Sequence, residues 1–402
     1  MDKKKRIGRY EKGLGGSFKT YIPSPLPPIP PLDLSDLYPL LDRASSALGR
    51  LDGMSMVLPD PSLILYMYVR KEAVLSSQIE GTQSSLSDLL LFETEEAPGV
   101  PIDDVTEVSC YVSAMNHGLK RLEKLPLSLR LIREIHAKLM NNSRGGNKNP
   151  GEFRKTQNWI GGSSPEYARF VPPPPNVLME CLDNLEKFLY DEKTKLPALI
   201  KAALIHVQFE TIHPFLDGNG RLGRLLITFV LCNEGLLKQP LLYLSLYFKA
   251  NRQNYYDYLQ LVRETGDWEA WIKFFLNGVT ETANQATETA QNIMDLFKKD
   301  RSKIEISGKS TATVLTIHSY MQEHPISNTT KIKGAFNISL PTILRGLKTL
   351  ETLGIVKEIT GKDRHKIFVY QDFLQILNQG TDAYHIKELV AGIGFEPMTF
   401  GL

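Results

Sequence analysis

Apolar residues recur at intervals of three and four from Ser35 onward: Leu37, Leu40 and Leu41, then Leu48 and Leu51. That period gives an α-helix one apolar face. Bounded by capping residues, prolines and glycines, the same pattern predicts helices over 61–77, 84–93, 104–124, 128–141, 176–191, 197–212, 219–233, 252–265 and from 268 to about 300. The stretch 153–175 breaks the pattern. There Thr156 to Ile160, then Gly161 and Gly162, then Tyr167 to Val171 predict two short strands around a glycine turn, closed by four prolines. The expectation is a small β-hairpin projecting from a helical body. Ahead of the helices, the prolines of 22–32 hold the chain extended. This segment reads as a strand packed over the protein's own helices or as a ligand for a proline-recognition module.

The pattern changes near residue 300. Charged residues over 298–309, with Gly308, predict a linker. Helices follow over 311–322, 328–336 and 339–353, the last with Ser339 as N-cap, Pro341 in its first turn and Gly354 as its stop. Apolar runs at 355–359 and 365–370 flank a polar turn from Thr360 to Arg364. Three helices and a β-ribbon are the plan of a winged helix-turn-helix, with 339–353 in the recognition position. Its reachable polar groups are Ser339, Thr342, Arg345 and Lys348, with Lys362, Arg364 and Lys366 on the wing. Nine Lys or Arg against five Asp or Glu over 309–378 is a modest basic excess, and both DNA contact and protein contact stay open. The final stretch, Gly392 to Leu402, has no amphipathic period. Its Gly-Phe-Glu-Pro is what GGG-TTC-GAA-CCC encodes, as in the T-arm of a tRNA gene, so the end is expected to be a dispensable reading-frame extension.

Composition narrows the function classes. The 402 residues, 42% hydrophobic and 23% charged, describe a globular chain able to bury a sizeable core. A net charge of +2 argues against a surface devoted to polyanions. The three cysteines, Cys110, Cys181 and Cys232, are too few and too scattered for a disulfide framework or a cysteine-rich zinc site, which favours a reducing, cytoplasmic setting. No apolar run is long enough for a membrane span. Lys3, Lys4, Lys5 and Arg6 read as a solvated, flexible end. The chain therefore divides into an N-terminal region (1–100), a helical body (101–300), a second unit (310–378) and a tail (379–402).

Chemistry concentrates in one string, His213-Pro-Phe-Leu-Asp-Gly-Asn-Gly-Arg-Leu-Gly-Arg224, which joins the helix ending at Ile212 to the one opening at Asn219. Gly218 and Gly220 allow successive backbone N–H groups to converge, and the next helix adds its own unsatisfied donors, so the loop should hold phosphate. Arg221 and Arg224 share a face and can both reach anionic oxygens. Asp217 is the loop's one hard oxygen ligand, enough for Mg²⁺ beside phosphates. His213 supplies a base near neutral pH. These residue types suit transfer of a phosphorus-centred group to a nucleophile.

The string resembles the Fic family signature, HPFx[D/E]GN[G/K]RxxR, at every fixed position. The resemblance implies a mainly α fold, a Fic-type helical bundle with a β-hairpin flap, here followed by the winged helix. It further implies a protein adenylyltransferase that moves AMP from ATP to a Ser, Thr or Tyr hydroxyl of a target protein or of itself, and that in some relatives also removes it. On that reading His213 is the general base and Asp217 holds Mg²⁺ between the α- and β-phosphates. Gly218, Asn219 and Gly220 form the anion hole, and Arg221 and Arg224 bind the outer phosphates. Ser76-Ser-Gln-Ile-Glu80-Gly81 is similar to the family's inhibitory motif, [S/T]xxxE[G/N]; Ser76, Glu80 and Gly81 fill its fixed positions, and Glu80 would occupy Arg224 and block a productive ATP pose. The 153–175 segment looks like the flap, with Ile160 and Gly161 near the nucleotide. Tyr255 and Tyr256 resemble adenosine-pocket residues and equally suit a core. The likeness covers roughly 20–300.

Competing readings were a nucleotide-sensing DNA-binding regulator and the same site with another phosphorus donor. The partners in view are a target protein, the chain itself, DNA through the winged helix and a second copy, with no membrane. His206, Glu210 and His213 do not have the HExxH spacing of a zinc protease, and Gly13 to Thr20 lacks the glycine a P-loop needs before Lys19, so it reads as a flexible loop. His206 and Cys232 read as core residues.

Overall fold

The structure, a computed structural model, describes residues 2–13, 16–57, 61–93, 102–141, 148–191, 193–308, 311–336, 338–361 and 366–381. A short 3-10 turn opens the chain, then a hairpin of β1 (Arg9–Lys12) and β2 (Lys19–Ile22). The helical body follows with α1 (Tyr38–Val57), α2 (Pro61–Ile79), α3 (Leu86–Glu93), α4 (Ile102–Leu122), α5 (Leu129–Leu139), α6 (Pro175–Leu189), α7 (Ala198–Ile212), α8 (Asn219–Asn233), α9 (Ser245–Ala250), α10 (Arg252–Thr265) and α11 (Trp268–Ser307). The second unit comprises α12 (Thr311–Glu323), β3 (Ile326–Asn328), α13 (Thr329–Ala335), α14 (Leu340–Thr352), β4 (Lys357–Glu358), β5 (Ile367–Val369) and α15 (Gln371–Asn378).

Helix α7 is the axis of the body. Every residue from Ala202 to Ile212 is buried, as expected of a helix that is apolar nearly all round. It packs along α8, against α6 and against α11. Helix α1 lies along α11, and both carry buried alanines (Ala44 and Ala47; Ala283, Ala286 and Ala290), small side chains that let helix axes come close. Consequently the loop joining α7 to α8 hangs from two immobilised rods, which fixes the residues on it.

Four expectations change on contact with the structure. The basic end is not free: Arg6 is buried, its guanidinium bonded to both oxygens of Glu269 at 2.8 Å and to the carbonyls of Pro30 and Pro31, while Lys3 reaches Asp267 at 2.6 Å. A buried carboxylate at the start of α11 recruited that arginine, a partner more than 260 residues away. The stretch 13–20, read as a flexible loop, belongs to the hairpin: Lys19 and Thr20 are in β2, Tyr10 stands opposite Tyr21, and the Gly13 N–H bonds the Phe18 carbonyl at 2.9 Å. The 153–175 segment has no strands; it keeps only an isolated antiparallel bridge between Ile160 and Phe170 and a 3-10 turn at Pro165–Tyr167, because Pro165 and the prolines from 172 have no N–H to give a ladder. The linker is absent from 298–307, where α11 continues to Ser307 and stops at left-handed Gly308. Charged residues on its exposed side had masked the buried Asp300 and Ile304.

The second unit has the expected three helices and ribbon, with β3 added as a third strand in the order β3-β5-β4 and α15 added after it. Ser339 caps α14 in position without a side-chain bond to the helix. Lys362 and Arg364 of the wing, and the tail from 382, lie outside the described residues. A buried network ties this unit to α11: Tyr370 donates to Asp300 at 2.9 Å and lies 3.2 Å from His318. Residues 378–381, where the second unit passes into the segment read as a tail from 379, touch the body. Gln78 donates to the carbonyls of Ser84 (2.9 Å) and Thr381 (2.7 Å), and Asn378 donates to Ser87. Among the described residues no helix is long and apolar enough to cross a membrane.

Two stability outcomes follow. Arg6→Ala strands Glu269 in the interior and should lower unfolding free energy by about 3–5 kcal/mol, read from denaturant melts; a change within experimental scatter would mean the N-terminal strap carries no weight. Tyr370→Phe removes one hydrogen bond to buried Asp300 and should cost about 1–3 kcal/mol, with faster proteolytic release of the second unit.

Candidate active site

The α7–α8 corner is built by backbone that ordinary residues avoid. His213 closes α7 in the left-handed region (φ 48°, ψ 61°), its N–H bonded to the Phe209 carbonyl at 2.9 Å. A histidine there is uncommon and persists only where the surroundings hold it. Arg154 supplies that hold, donating from Nε to the His213 carbonyl at 2.9 Å, while its own N–H bonds Pro214. Asn158 donates to the carbonyls of His213 (3.1 Å) and Phe215 (2.9 Å). Asn219 staples the corner from within: its Oδ1 accepts from the Phe215 N–H and its Nδ2 donates to the Phe215 carbonyl, each at 2.9 Å. Thus Asn219, expected to offer an anion its N–H, also sets the loop's shape.

His136 props the far end. The Gly151 N–H donates to its Nδ1 at 2.8 Å, which leaves the proton on Nε2, and Nε2 donates to the Asp217 carbonyl at 3.0 Å. Its ring stacks on Phe215 with centroids 3.7 Å apart, and burial pushes its pKa down to about 4, keeping it neutral. Gly218 then turns into α8 at φ 75°; a Cβ on it would overlap Met140.

Arg224 and Arg221 differ in their commitments. Arg224 is buried, with Nε bonded to Ser76 Oγ at 2.8 Å and Nη2 to the Ser76 carbonyl at 3.0 Å and to Glu80 Oε1 at 2.6 Å. Burial works against its charge, yet Glu80 prevails and raises its pKa. Partial desolvation likewise disfavours the Glu80 carboxylate, and Arg224, with Arg221 behind it, holds its pKa below the usual value. Gly220 makes this pairing fit, since a Cβ there would overlap the Glu80 carboxylate. Gly81 follows at φ 103°, a bend open to glycine. Arg221 instead lies 2.8 Å from Glu107 on α4 and 3.6 Å from Asp217. The sequence reading gave Arg221 to phosphate and did not foresee Glu107.

Two cavities meet at this corner. One, of about 460 Å³, is lined by Ile160, Gly161, Tyr255 and Tyr256 together with His213 and Arg224. The other, of about 620 Å³, is lined by Asp217, Gly218, Asn219, Gly220 and Arg221. Glu80, His213 and Gly220 belong to both. Ile160 and Gly161 therefore do lie beside the corner even without flap strands. Tyr255 is buried and its hydroxyl sits 2.9 Å from His206 Nε2, so it is core and cavity wall at once; Tyr256 is half-buried beside it. Asp217, about a third exposed, has one oxygen on the Gly218 N–H at 2.6 Å and the other 3.2 Å from Lys148. No group of three His, Cys, Asp or Glu is placed to hold a metal among the described residues. His213 is neutral: burial pushes its pKa down to about 4, Arg154 and Arg263 act the same way, and the Glu210 carbonyl and Glu80 oppose them.

Comparison with known proteins agrees with this geometry. Residues 38–120 match the Fic/DOC family N-terminal region and residues 126–231 the Fic/DOC family domain. The Protein adenylyltransferase Fic of Drosophila grimshawi is 32% identical over 211 residues, 51% of this chain and 40% of that protein. Its namesake from Aedes aegypti is 31% identical over 250 residues, 60% of this chain and 46% of that protein. The chain thus spans less than half the length of these relatives. A Fic family protein from Desulfovibrio desulfuricans G20, solved by crystallography, shares the fold with a TM-score of 0.53 at 18% identity, over 83% of this chain and 96% of that one. Motif and both regional matches converge: residues 38–120 and 126–231 belong to the Fic/DOC family.

Proposed function

We propose that the chain is a protein adenylyltransferase, held inactive by Glu80, that transfers AMP from ATP to a hydroxyl of a target protein or of itself. The observation that carries this reading is the pair of cavities joined at His213. The Tyr255 and Tyr256 side offers aromatic and apolar walls of nucleoside size, and the Gly218–Gly220 side offers backbone donors at a helix N-terminus for phosphate. His213 stands between them, where the α-phosphorus of a nucleotide spanning both would come to lie.

In the reaction the target oxygen bonds to the α-phosphorus as the bond to pyrophosphate breaks, and His213 receives the hydroxyl proton. A neutral imidazole is the form that can do this. The N–H groups at the start of α8 neutralise charge that builds on the phosphoryl oxygens. Asp217 is the carboxylate that would hold Mg²⁺; a single carboxylate facing a phosphate cradle fits that ion's habit, and bound there it would neutralise phosphate charge. Arg224 is the cation for the outer phosphates once Glu80 leaves it.

Glu80 supports the inhibited state in two ways. It takes the Nη2 donor of Arg224, and it stands at the junction of the cavities, where a triphosphate would run. The regulator reading finds less support in the second unit. The exposed face of α14 sets Leu340 and Leu344, each 41% exposed, beside Arg345 and Lys348, and Lys348 is paired with Glu351 at 2.8 Å. A phosphate backbone calls for free cations, whereas such a mixed face suits protein contact.

Incubation with ATP radiolabelled at the α-phosphorus should label the chain or a lysate protein, and His213→Ala should abolish labelling, a loss of at least about 100-fold; undiminished labelling removes the mechanism. Glu80→Gly should raise self-labelling at least about tenfold, since it frees a charge-assisted bond on Arg224. A variant no more active than wild type rejects the inhibitory role.

A further inference from the structure

The most informative loose end in the molecule is a buried carboxylate that the mechanism above does not use. Glu210 sits on the last turn of α7, three residues before His213, and lines the same cavity. It is buried, yet its Oε1 has no hydrogen-bond partner among the described residues; the same holds for His213 Nδ1. The second carboxylate oxygen, Oε2, lies 4.0 Å from that nitrogen. A carboxylate with one unmatched buried oxygen thus holds its other oxygen about one ångström beyond hydrogen-bond reach of an unmatched imidazole nitrogen.

We propose that Glu210 is a positioning residue for His213: in the engaged site its carboxylate accepts the Nδ1–H of His213, fixing the tautomer that leaves Nε2 free to take the acceptor's proton. The inference rests on the reading of His213 as the base.

Three observations support it. Unmade hydrogen bonds on buried groups are costly, and catalytic pairs are often long before substrate binds, so a gap of 4.0 Å is an open form of the pair rather than its absence. Room for the carboxylate is reserved, because Gly223 of α8 lies beside it and a Cβ there would overlap Glu210 Oε1. Finally, the neighbouring cations are engaged elsewhere. Arg263 on α10 donates to Thr211 Oγ1 at 3.1 Å and to the Glu210 backbone carbonyl at 3.4 Å, and lies over the Phe170 ring; Arg224 on α8 is bonded to Ser76 and Glu80.

The groups facing the pair are Arg154, Arg224, Arg263 and Glu80. With the pair open, burial pushes Glu210 up to about 7 and His213 down to about 4, so each tends to neutrality. Closing the pair favours the ionised carboxylate beside an imidazole that can hold a second proton. The proton leaving the acceptor hydroxyl goes to His213 Nε2 and stays there until product leaves; Glu210 orients and stabilises the imidazolium without taking the proton, the division of labour found in Ser-His-Asp sites.

The test uses the full chain with Glu80→Gly, Mg²⁺ and α,β-methylene ATP, and follows His213 by ¹H and ¹⁵N NMR against pH, with Glu210 or with Glu210→Gln. The expected result with Glu210 is a strongly downfield Nδ1–H resonance and a titration midpoint higher by about one pH unit or more than in the Gln variant. Self-labelling by Glu210→Gln should slow at least about tenfold while the ATP concentration for half-maximal rate changes less than about twofold. Glu210→Asp, which keeps the charge on a shorter arm, should recover part of both signals. The rival acceptor for Nδ1–H is the backbone carbonyl of Glu210. If it alone holds the ring, the downfield proton and the midpoint will be the same in both chains, and the proposal is overturned. Because the NMR signals need no turnover, they remain readable if His213→Ala shows the adenylyltransferase reading itself to be wrong.

Discussion

A buried guanidinium must find its hydrogen bonds inside the protein, and Arg224 finds them on Ser76 of α2 and on Glu80 just past its end. This single requirement joins the two sequence regions of the site. Helix α8 carries the cation because the α7–α8 corner places it there, and α2 ends where it does so that Ser76 and Glu80, one turn apart, meet the same side chain. Isolated charges are expensive in an interior, so the α2–α8 contact is specific as well as stabilising: shifting α2 by a residue would set Ile79 or Gly81 in place of Glu80 and deprive Arg224 of its carboxylate. Gly220 completes the fit by leaving the volume that the Glu80 carboxylate fills.

Much of this was legible in the sequence, for a physical reason. The corner is local: its converging backbone donors, its staple Asn219 and its turn glycines fall within twelve residues, and a motif that builds its own geometry can be read without knowing the fold. Helix ends set by Pro and Gly were equally readable, and 219–233 and 252–265 match the structure residue for residue. What the sequence did not disclose is whatever depends on distant partners. Arg154, Asn158 and His136 each reach the corner from outside it, and none stands in a pattern that betrays the role. Glu107 and Arg221 are the same case, as are Arg6 and Glu269. Glu210 was in plain view beside His213, but only the closeness of Gly223 and the want of another partner distinguish it from an ordinary helical glutamate.

The 153–175 segment shows the converse error, in which a local signal was over-read. Alternating residues around paired glycines announce a hairpin, and positive φ at Gly161 and Gly162 supplies the turn. Four prolines after Val171 then offer no N–H groups by which a second strand could be extended. Asn158 and Gln157 spend their amides on carbonyls across the segment and on the corner itself. The result is a loop whose shape is set by side-chain bonds, with Ile160 and Gly161 held at the cavity wall by one bridge to Phe170.

The end of α2 is held from a further direction, and this limits how Glu80 can move. Gln78 bonds Thr381 and Ser84, Asn378 bonds Ser87, Lys331 bonds the carbonyl of Glu93, and Lys249 bonds that of Gly380. Unwinding the last turn of α2 would break both Gln78 bonds and pull on α15, which packs on α2 and α3. Turning the Glu80 side chain alone breaks only its bond to Arg224, and the side chain, 37% exposed, has solvent on one side to receive it. Each buried hydrogen bond left unmade costs on the order of 1–3 kcal/mol, so the side-chain route is the cheaper by at least the two Gln78 bonds. The geometry therefore separates two parts of this α2 terminus. Ser76 and the α2 backbone are fixed by the fold and keep Arg224 in place whether or not Glu80 is bound, while the Glu80 carboxylate is the component free to leave.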